Sequence, residues 1–266
     1  MKKEDILTEI IANKRFEVDY QRQAVSLELL ENSLTDKEVR RSMKQALSEA
    51  NPGIIAEFKR RSPSKGWINK EAEVNRIIPA YEQAGAAAIS ILTDEKYFGG
   101  TLTDIRKARP LTNLPILRKD FIIDEYQLYQ AKIAGADAVL LIASALSKNR
   151  YTELNEQAHQ LGLEVLLEIH SEDELEYITP QTDMVGVNNR NLGSFHTHTD
   201  NSFNLAAQLP RRGTVLVSES GLSHSGIIRK LQQAGFHGFL IGETFMKTDN
   251  PGNTLQHFIA DIRKQS

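Results

Sequence analysis

Glu57 and Lys59 stand two residues apart at the end of an apolar run, Gly53 to Lys59, that reads as a β-strand. Alternation along a strand sends both charges to one face and Phe58 to the other. Opposite charges at the end of a buried strand are costly unless they pair with each other or with a ligand, so the two are either a structural ion pair or members of a reactive site. Other runs end the same way, in Arg118-Lys119-Asp120, Glu168, Asn188-Asn189-Arg190, Ser218-Glu219-Ser220-Gly221 and Gly242-Glu243. Lys59, Lys119, Glu57 and Glu168 are the candidates for proton transfer. A lysine beside other cations or in a closed pocket holds its proton less tightly, and a carboxylate near apolar walls becomes a better base. The glycines of Ser220-Gly221 and Gly242-Glu243 would let backbone amides approach an anion. A sugar phosphate is the expected substrate type.

These residues need a scaffold that brings distant segments to one mouth. The runs that read as strands are Gly53 to Lys59, Ala87 to Thr93, Pro115 to Phe121, Ala138 to Ala143, Glu164 to His170, Met184 to Asn188, Thr214 to Glu219 and Gly238 to Gly242. Helical patterns lie between them, at Val74 to Ala84, Asp124 to Ala134, Lys148 to Leu161 and Ser223 to Ala234. Gly85, Gly135, Gly162 and Gly235 follow these patterns, as left-handed helix terminators would. Eight alternating units with right-handed crossovers favour closure into an α/β fold, a (β/α)8 TIM barrel. Active sites of that fold lie at the carboxyl ends of the strands, and phosphate is commonly held after strands seven and eight. Inward residues of alternate strands share a layer, which would assemble Glu57, Lys59, Lys119 and Glu168 over one substrate.

Residues 1–50 follow a different pattern. Ile6, Ile10, Ile11, Val18 and Val25 recur at near-helical spacing, and Ser33 to Ala50 gives a second helical pattern with Leu34, Val39, Met43 and Leu47. The expectation is a helical extension packed on a barrel of residues 51–266, with a partner-binding arm as the alternative. The chain stops at Ser266 after one barrel and so reads as monofunctional.

With 40% hydrophobic and 25% charged residues among 266, the composition is that of an ordinary globular protein. A net charge of −3 gives no general attraction for nucleic acid, and any anion site must be local. There are no cysteines, which removes disulfides, thiolate metal sites and a cysteine nucleophile. Neither a signal peptide nor a membrane-length apolar run is apparent, so the cytoplasm is expected. His196 and His198 lack a third ligand at recognisable spacing, so no metal and no cofactor are expected. His170 reads as a loop or helix-start residue, and Trp67 and Phe98 as either packing residues or covers for an aromatic substrate.

Taken jointly, IAEFKRRSPSKG, SILTDEKYFGG, LPILRKDFIIDEYQ, ADAVLLIAS, LLEIH, VGVNNRNL, SESG and FLIGETFM resemble the indole-3-glycerol phosphate synthases of tryptophan biosynthesis. The resemblance runs over nearly the whole chain. It implies cofactor-free ring closure of 1-(2-carboxyphenylamino)-1-deoxyribulose 5-phosphate, with loss of carbon dioxide and water. By motif position, Lys119 matches the general acid of ring closure and Glu168 the base of the later dehydration. Glu57 and Lys59 match the first-strand catalytic pair, with Lys59 a second acid candidate. Asn188, grouped with them, and Ser62 and Arg190 match residues that position the substrate and its carboxylate. Phe121 matches an apolar wall of the anthranilate pocket, and Glu219 beside Ser220 completes the polar wall. Gly221, Gly242 and Glu243, next to Ser220, match the phosphate-binding turns, with the Glu243 carboxylate expected to face away from the phosphate. The implied partner is a small phosphorylated sugar, with neither nucleic acid nor membrane. The oligomeric state, a monomer included, and association with other tryptophan-pathway enzymes are left open. Rival readings are another phosphate-binding barrel enzyme, such as phosphoribosylanthranilate isomerase, or a non-catalytic sensor of a phosphorylated metabolite.

Overall fold

Two-residue alternation along the apolar runs builds two separate cores. Ile54, Ala56 and Phe58 join one cluster beneath the surrounding helices, while Ile55 joins another on the opposite face of the sheet. The same split divides Val139 and Leu141 from Leu140 and Ile142, and Leu216 from Val217. A sheet apolar on both faces buries both when it closes on itself and is ringed by helices.

That is the architecture of the computed structural model, which describes residues 6–34, 41–190, 199–210 and 212–264. The strands are β1 (Gly53–Phe58), β2 (Ala88–Leu92), β3 (Ile116–Lys119), β4 (Ala138–Ile142), β5 (Glu164–Ile169), β6 (Met184–Asn188), β7 (Val215–Glu219) and β8 (Gly238–Ile241). All neighbours are parallel and the sheet closes where β1 pairs with β8, giving the expected (β/α)8 barrel. Most runs overestimate their strand by a residue or two at an end, because the chain leaves the ladder where its polar residues begin. Gly85, Gly135, Gly162 and Gly235 all have positive φ, at 93°, 92°, 70° and 102°, and terminate helices as expected.

Three helices precede the barrel: α1 (Ile6–Ala24), α2 (Leu27–Asn32) and α3 (Met43–Glu49). The helix expected over Ser33 to Ala50 corresponds to α3 and is shorter than its sequence pattern. It starts at Met43, where the Ser42 hydroxyl accepts the Gln45 N–H. Val39 lies outside the described residues and Val25 is exposed. Met43 and Leu47 are fully buried in the interior cluster at the amino-terminal foot of the barrel. Leu7, Ile10, Ile11 and Val18 form the buried stripe of α1.

The remaining helices are α4 (Val74–Gln83), α5 (Glu95–Phe98), α6 (Leu102–Ala108), α7 (Glu125–Ala134), α8 (Lys148–Gln160), α9 (Asp200–Ala206), α10 (Ser225–Gln233), α11 (Glu243–Met246) and α12 (Pro251–Arg263). A two-stranded hairpin pairs Arg61 and Ser62 with Trp67 and Gly66 after β1. No helix among the described residues is long and apolar enough to cross a membrane.

Candidate active site

The carboxyl ends of the strands surround a cavity of about 390 Å³. Its floor is the uppermost apolar layer of the barrel, including Leu140, Ile142 and Leu240. Above that layer the inward positions become charged. Glu57 and Lys59 from β1 and its end, Lys119 from β3, Glu168 from β5 and Glu219 from β7 all line the same space. Odd-numbered strands therefore supply one polar layer, as alternation in such a barrel requires.

Lys119 is the hub of that layer. Its Nζ lies 3.2 Å from Glu168 Oε2 and 3.8 Å from Glu219 Oε2. Burial alone would weaken its hold on the proton, but Glu168, Glu219 and Glu57 outweigh burial and raise the ammonium above the usual lysine range. This reverses the expectation that a closed pocket would loosen the proton. The neighbours are carboxylates rather than cations, so Lys119 stands as a charged donor. Lys59 forms its own ion pair, with Glu57 Oε1.

Glu168 and Glu219 are pushed in opposite directions. Burial opposes ionisation of Glu168, yet Lys119, His170 and Asn188 hold its carboxylate well below the usual range. Asn188 donates to Glu168 Oε1 at 3.1 Å, and His170 Nε2 lies 3.3 Å from the same oxygen. Burial, reinforced by Glu168 and Glu57 and opposed by Lys119, pushes Glu219 up to about 8. One carboxyl is thus ionised and its neighbour protonated near neutral pH, the separation that acid and base roles require. Gly186 on β6 makes room for Glu219, since a Cβ there would fall 2.0 Å from Glu219 Oε1.

His170 does more than occupy a loop. Burial works against its charged form, but Glu168 and Glu174 outweigh that and push it up to about 10. It is a partly buried cation backing the carboxylate of Glu168. Its position two residues beyond Glu168, just past the end of β5, was the available signal.

One side of the cavity is aromatic. Phe98 from α5 and Phe121 after β3 both line it, with ring centroids 6.1 Å apart. Trp67 instead is 50% exposed, and its ring is covered by Arg61 and Lys70.

The rest of the lining is rich in cations and backbone donors that could receive an anion. Ser220, Gly221, Gly242 and Glu243 belong to it together with Lys65, Arg190 and Lys247. Ser220 and Gly221 have φ of 68° and 73°, so two consecutive residues turn left-handed. A serine there is strained unless its surroundings fix it. Asn189 supplies that restraint, since its Nδ2 donates to Ser218 Oγ, the Glu219 carbonyl and the Ser220 carbonyl. Gly242 precedes the first turn of α11, whose leading N–H groups have no intrahelical acceptor. A Cβ on Gly242 would meet Glu57 Oε1 at 2.3 Å, so glycine here also leaves room for the charged layer.

Two expected residues sit differently. Ser62 is buried in the turn after β1, where its hydroxyl accepts the Lys65 N–H, and Pro63, Ser64 and Lys65 line the cavity in its place. The Glu243 carboxylate does not turn away from the cavity's cations. It lies 3.8 Å from Arg190 Nη2 and 3.9 Å from Lys65 Nζ, because those charges need a counterion. His196 and His198 lie outside the described residues, among which no three metal-ligating side chains converge.

The family model described as Indole-3-glycerol phosphate synthase matches residues 7–258. A curated relative of that name from Bacteroides thetaiotaomicron is 65% identical over 259 residues, covering 97% of this chain and 99% of the relative. Another, from Neisseria meningitidis serogroup B, is 45% identical over 251 residues, covering 92% and 96% respectively. Among solved structures, a mutant tryptophan synthase alpha-subunit from Pyrococcus furiosus matches with a TM-score of 0.60 at 15% identity. That match covers 80% of this chain and 98% of the other, and carries the fold alone.

Proposed function

The chain belongs to the indole-3-glycerol phosphate synthase family, and from that premise we propose that it converts 1-(2-carboxyphenylamino)-1-deoxyribulose 5-phosphate to indole-3-glycerol phosphate, carbon dioxide and water. The observation that carries this reading is the charged Lys119 held between Glu168 and Glu219 in a cavity that Phe98 and Phe121 line together with the Ser220-Gly221 and Gly242-Glu243 turns. A substrate with an aryl carboxylate at one end and a phosphate at the other fits that polarity.

The phosphate binds at Ser220, Gly221, Gly242 and Glu243, where left-handed turns and a helical turn offer backbone donors and Lys65 and Lys247 supply charge. Its arrival competes with the Glu243 carboxylate for Arg190 and Lys65. The aryl ring lies against Phe98 and Phe121. Arg190 and Asn188, whose backbone and side chain already bond to one another, position the substrate, and Ser62 shapes the turn that brings Lys65 in.

Ring closure forms a bond between the aryl carbon bearing the carboxylate and the ketose carbonyl carbon. Lys119 gives its proton to the carbonyl oxygen as that bond forms, which places negative charge nowhere without a donor. Carbon dioxide then leaves and returns its bonding electrons to the ring. In the last step the new hydroxyl departs as water, assisted by Lys59 within its Glu57 pair, while Glu168 takes a proton from the carbon beside the nitrogen. Both oxygens of Glu168 are engaged, so accepting that proton means loosening its bond to Lys119 or Asn188.

The same reading divides the chain into a helical extension, residues 1–50, and a catalytic barrel, residues 51–266, of a cytoplasmic biosynthetic enzyme. The test is a fluorescence assay of the purified chain with the carboxyphenylamino ketose phosphate in the presence of EDTA. Indole fluorescence growing at an EDTA-independent rate is expected. A folded chain that binds glycerol 3-phosphate yet forms no product would overturn the assignment and point to another phosphorylated ligand.

A further inference from the structure

Lys14 is a lysine on the apolar stripe of α1, only 1% exposed, and no step above uses it. Its ammonium reaches into the rim of the barrel, 3.1 Å from Asp94 Oδ2 and 3.0 Å from Asp120 Oδ1, with Glu17 at 2.9 Å. Those two aspartates are the anchors of the aromatic wall. Asp94 Oδ1 accepts the Tyr97 N–H and so caps α5, whose last residue is Phe98. Asp120 Oδ1 accepts the N–H of Phe121, and Asp120 directly follows Lys119. Its other oxygen is held by Thr93 and Arg118.

One cation from outside the barrel therefore ties together the supports of both cavity rings. Further contacts run the same way. Tyr97 donates to Glu9 at 2.9 Å, Lys96 to Asn13 at 3.1 Å, and Tyr126 to the carbonyls of Gln21 and Val25 at 3.2 and 3.0 Å. Helix α1 thus crosses the loops after β2 and β3 and bonds to each.

We propose that Lys14 is a positioning residue for the aromatic end of the substrate cavity, holding Phe98 and Phe121 at their spacing through Asp94 and Asp120. The inference rests on the reading that the aryl ring binds between those phenylalanines. Without the ammonium the tie between the two loops is lost: Asp120 keeps Arg118, but Asp94 faces it with no cation shared between them, and the loops that carry them must separate or admit water. The glycine turns after β7 and β8 make no bond to α1 among the described contacts, so the anion-binding end is insulated from the change.

That polarity makes the role separable from mere stability. Dissociation constants of indole-3-glycerol phosphate and of glycerol 3-phosphate are measured by calorimetry for the full chain and for Lys14→Met. Displacement of ring-binding loops by an ångström-scale shift carries large losses, so the first constant is expected to rise about tenfold or more. Glycerol 3-phosphate, which has no ring, should change by less than about twofold. Asp94→Asn, which can still cap α5 while dropping the charge, should show the same split and decides the matter if Lys14→Met does not fold. Equal weakening of both ligands, or of neither, would overturn the inference while the unaltered chain still turns over its substrate. Failure of the unaltered chain to make product or bind it would instead overturn the functional reading, and this inference with it.

Discussion

Replacing Glu219 by Gln should stabilise the protein, and by an amount that depends on pH. Glu219 is 1% exposed, and its carboxyl has been pushed from an ordinary 4.5 to about 8. Well below pH 4.5 the group is protonated in both folded and unfolded chains and contributes nothing. As the pH rises from there toward 8, the unfolded chain releases the proton while the folded chain keeps it, so stability is lost across that window. Above it the loss is constant. At about 1.4 kcal/mol per unit, the cost amounts to roughly 3 kcal/mol at pH 7 and less than about 1 kcal/mol at pH 5. Glutamine matches the neutral carboxyl in shape, fits over Gly186 and has no proton to lose. Urea denaturation of both proteins at pH 5 and pH 7 measures the difference. The variant's advantage should be small at the lower pH and grow to roughly 3 kcal/mol at the higher. An advantage of equal size at both values, or a variant that is less stable at pH 7, would refute the claim that Glu219 is buried as the acid.

Lys119→Met should cut turnover by about 10²- to 10⁴-fold while glycerol 3-phosphate binding persists, since the donor is lost and the anion site is not touched. Wild-type-like rates in that variant would sink the acid assignment. In Gly242→Ala the new methyl group would fall 2.3 Å from Glu57 Oε1, so Glu57 must swing from Lys59. The expected outcome is a fall in kcat of about tenfold or more, read by steady-state kinetics at saturating substrate. Deleting residues up to about 45 removes Lys14 and the fully buried Met43. A lower melting temperature and a higher KM are expected, and unchanged values of both would make the extension an accessory arm.

The barrel was readable because its pattern is redundant. Each apolar run marks a strand, Gly85, Gly135, Gly162 and Gly235 mark helix ends, and six of the eight strand ends carry the polar residues that the fold exposes at its mouth. Glu57, Lys119 and Glu168 were found in this way, from position alone, and the cavity brings them together. What sequence position could not supply was the sign of their interactions. Lys119 was expected to be loosened by burial, but three carboxylates from β1, β5 and β7 decide otherwise, and their convergence is a property of closure. The helix expected from Ser33 onward begins only at Met43, because a run of spaced apolar residues does not reveal where the serine cap will bond. Lys14 went unremarked although its place among Ile10, Ile11 and Val18 put a charge on a buried face. Its partners come from loops some eighty and a hundred residues away, which periodicity does not register.

The stopper formed by α3 also sets an order of events during synthesis. Met43 and Leu47 pack against the foot of the barrel, where α3 meets β1, β2 and β7, and the Leu47 side chain lies against Gly238 at the start of β8. Those contacts join the first strands of the barrel to the last. A ribosome adding about 5 to 20 residues per second needs roughly 10 to 40 s to travel from α3 to β8. The contacts of α3 with β7 and β8 therefore complete only when the last strands have been made, long after its partners β1 and β2 have left the ribosome.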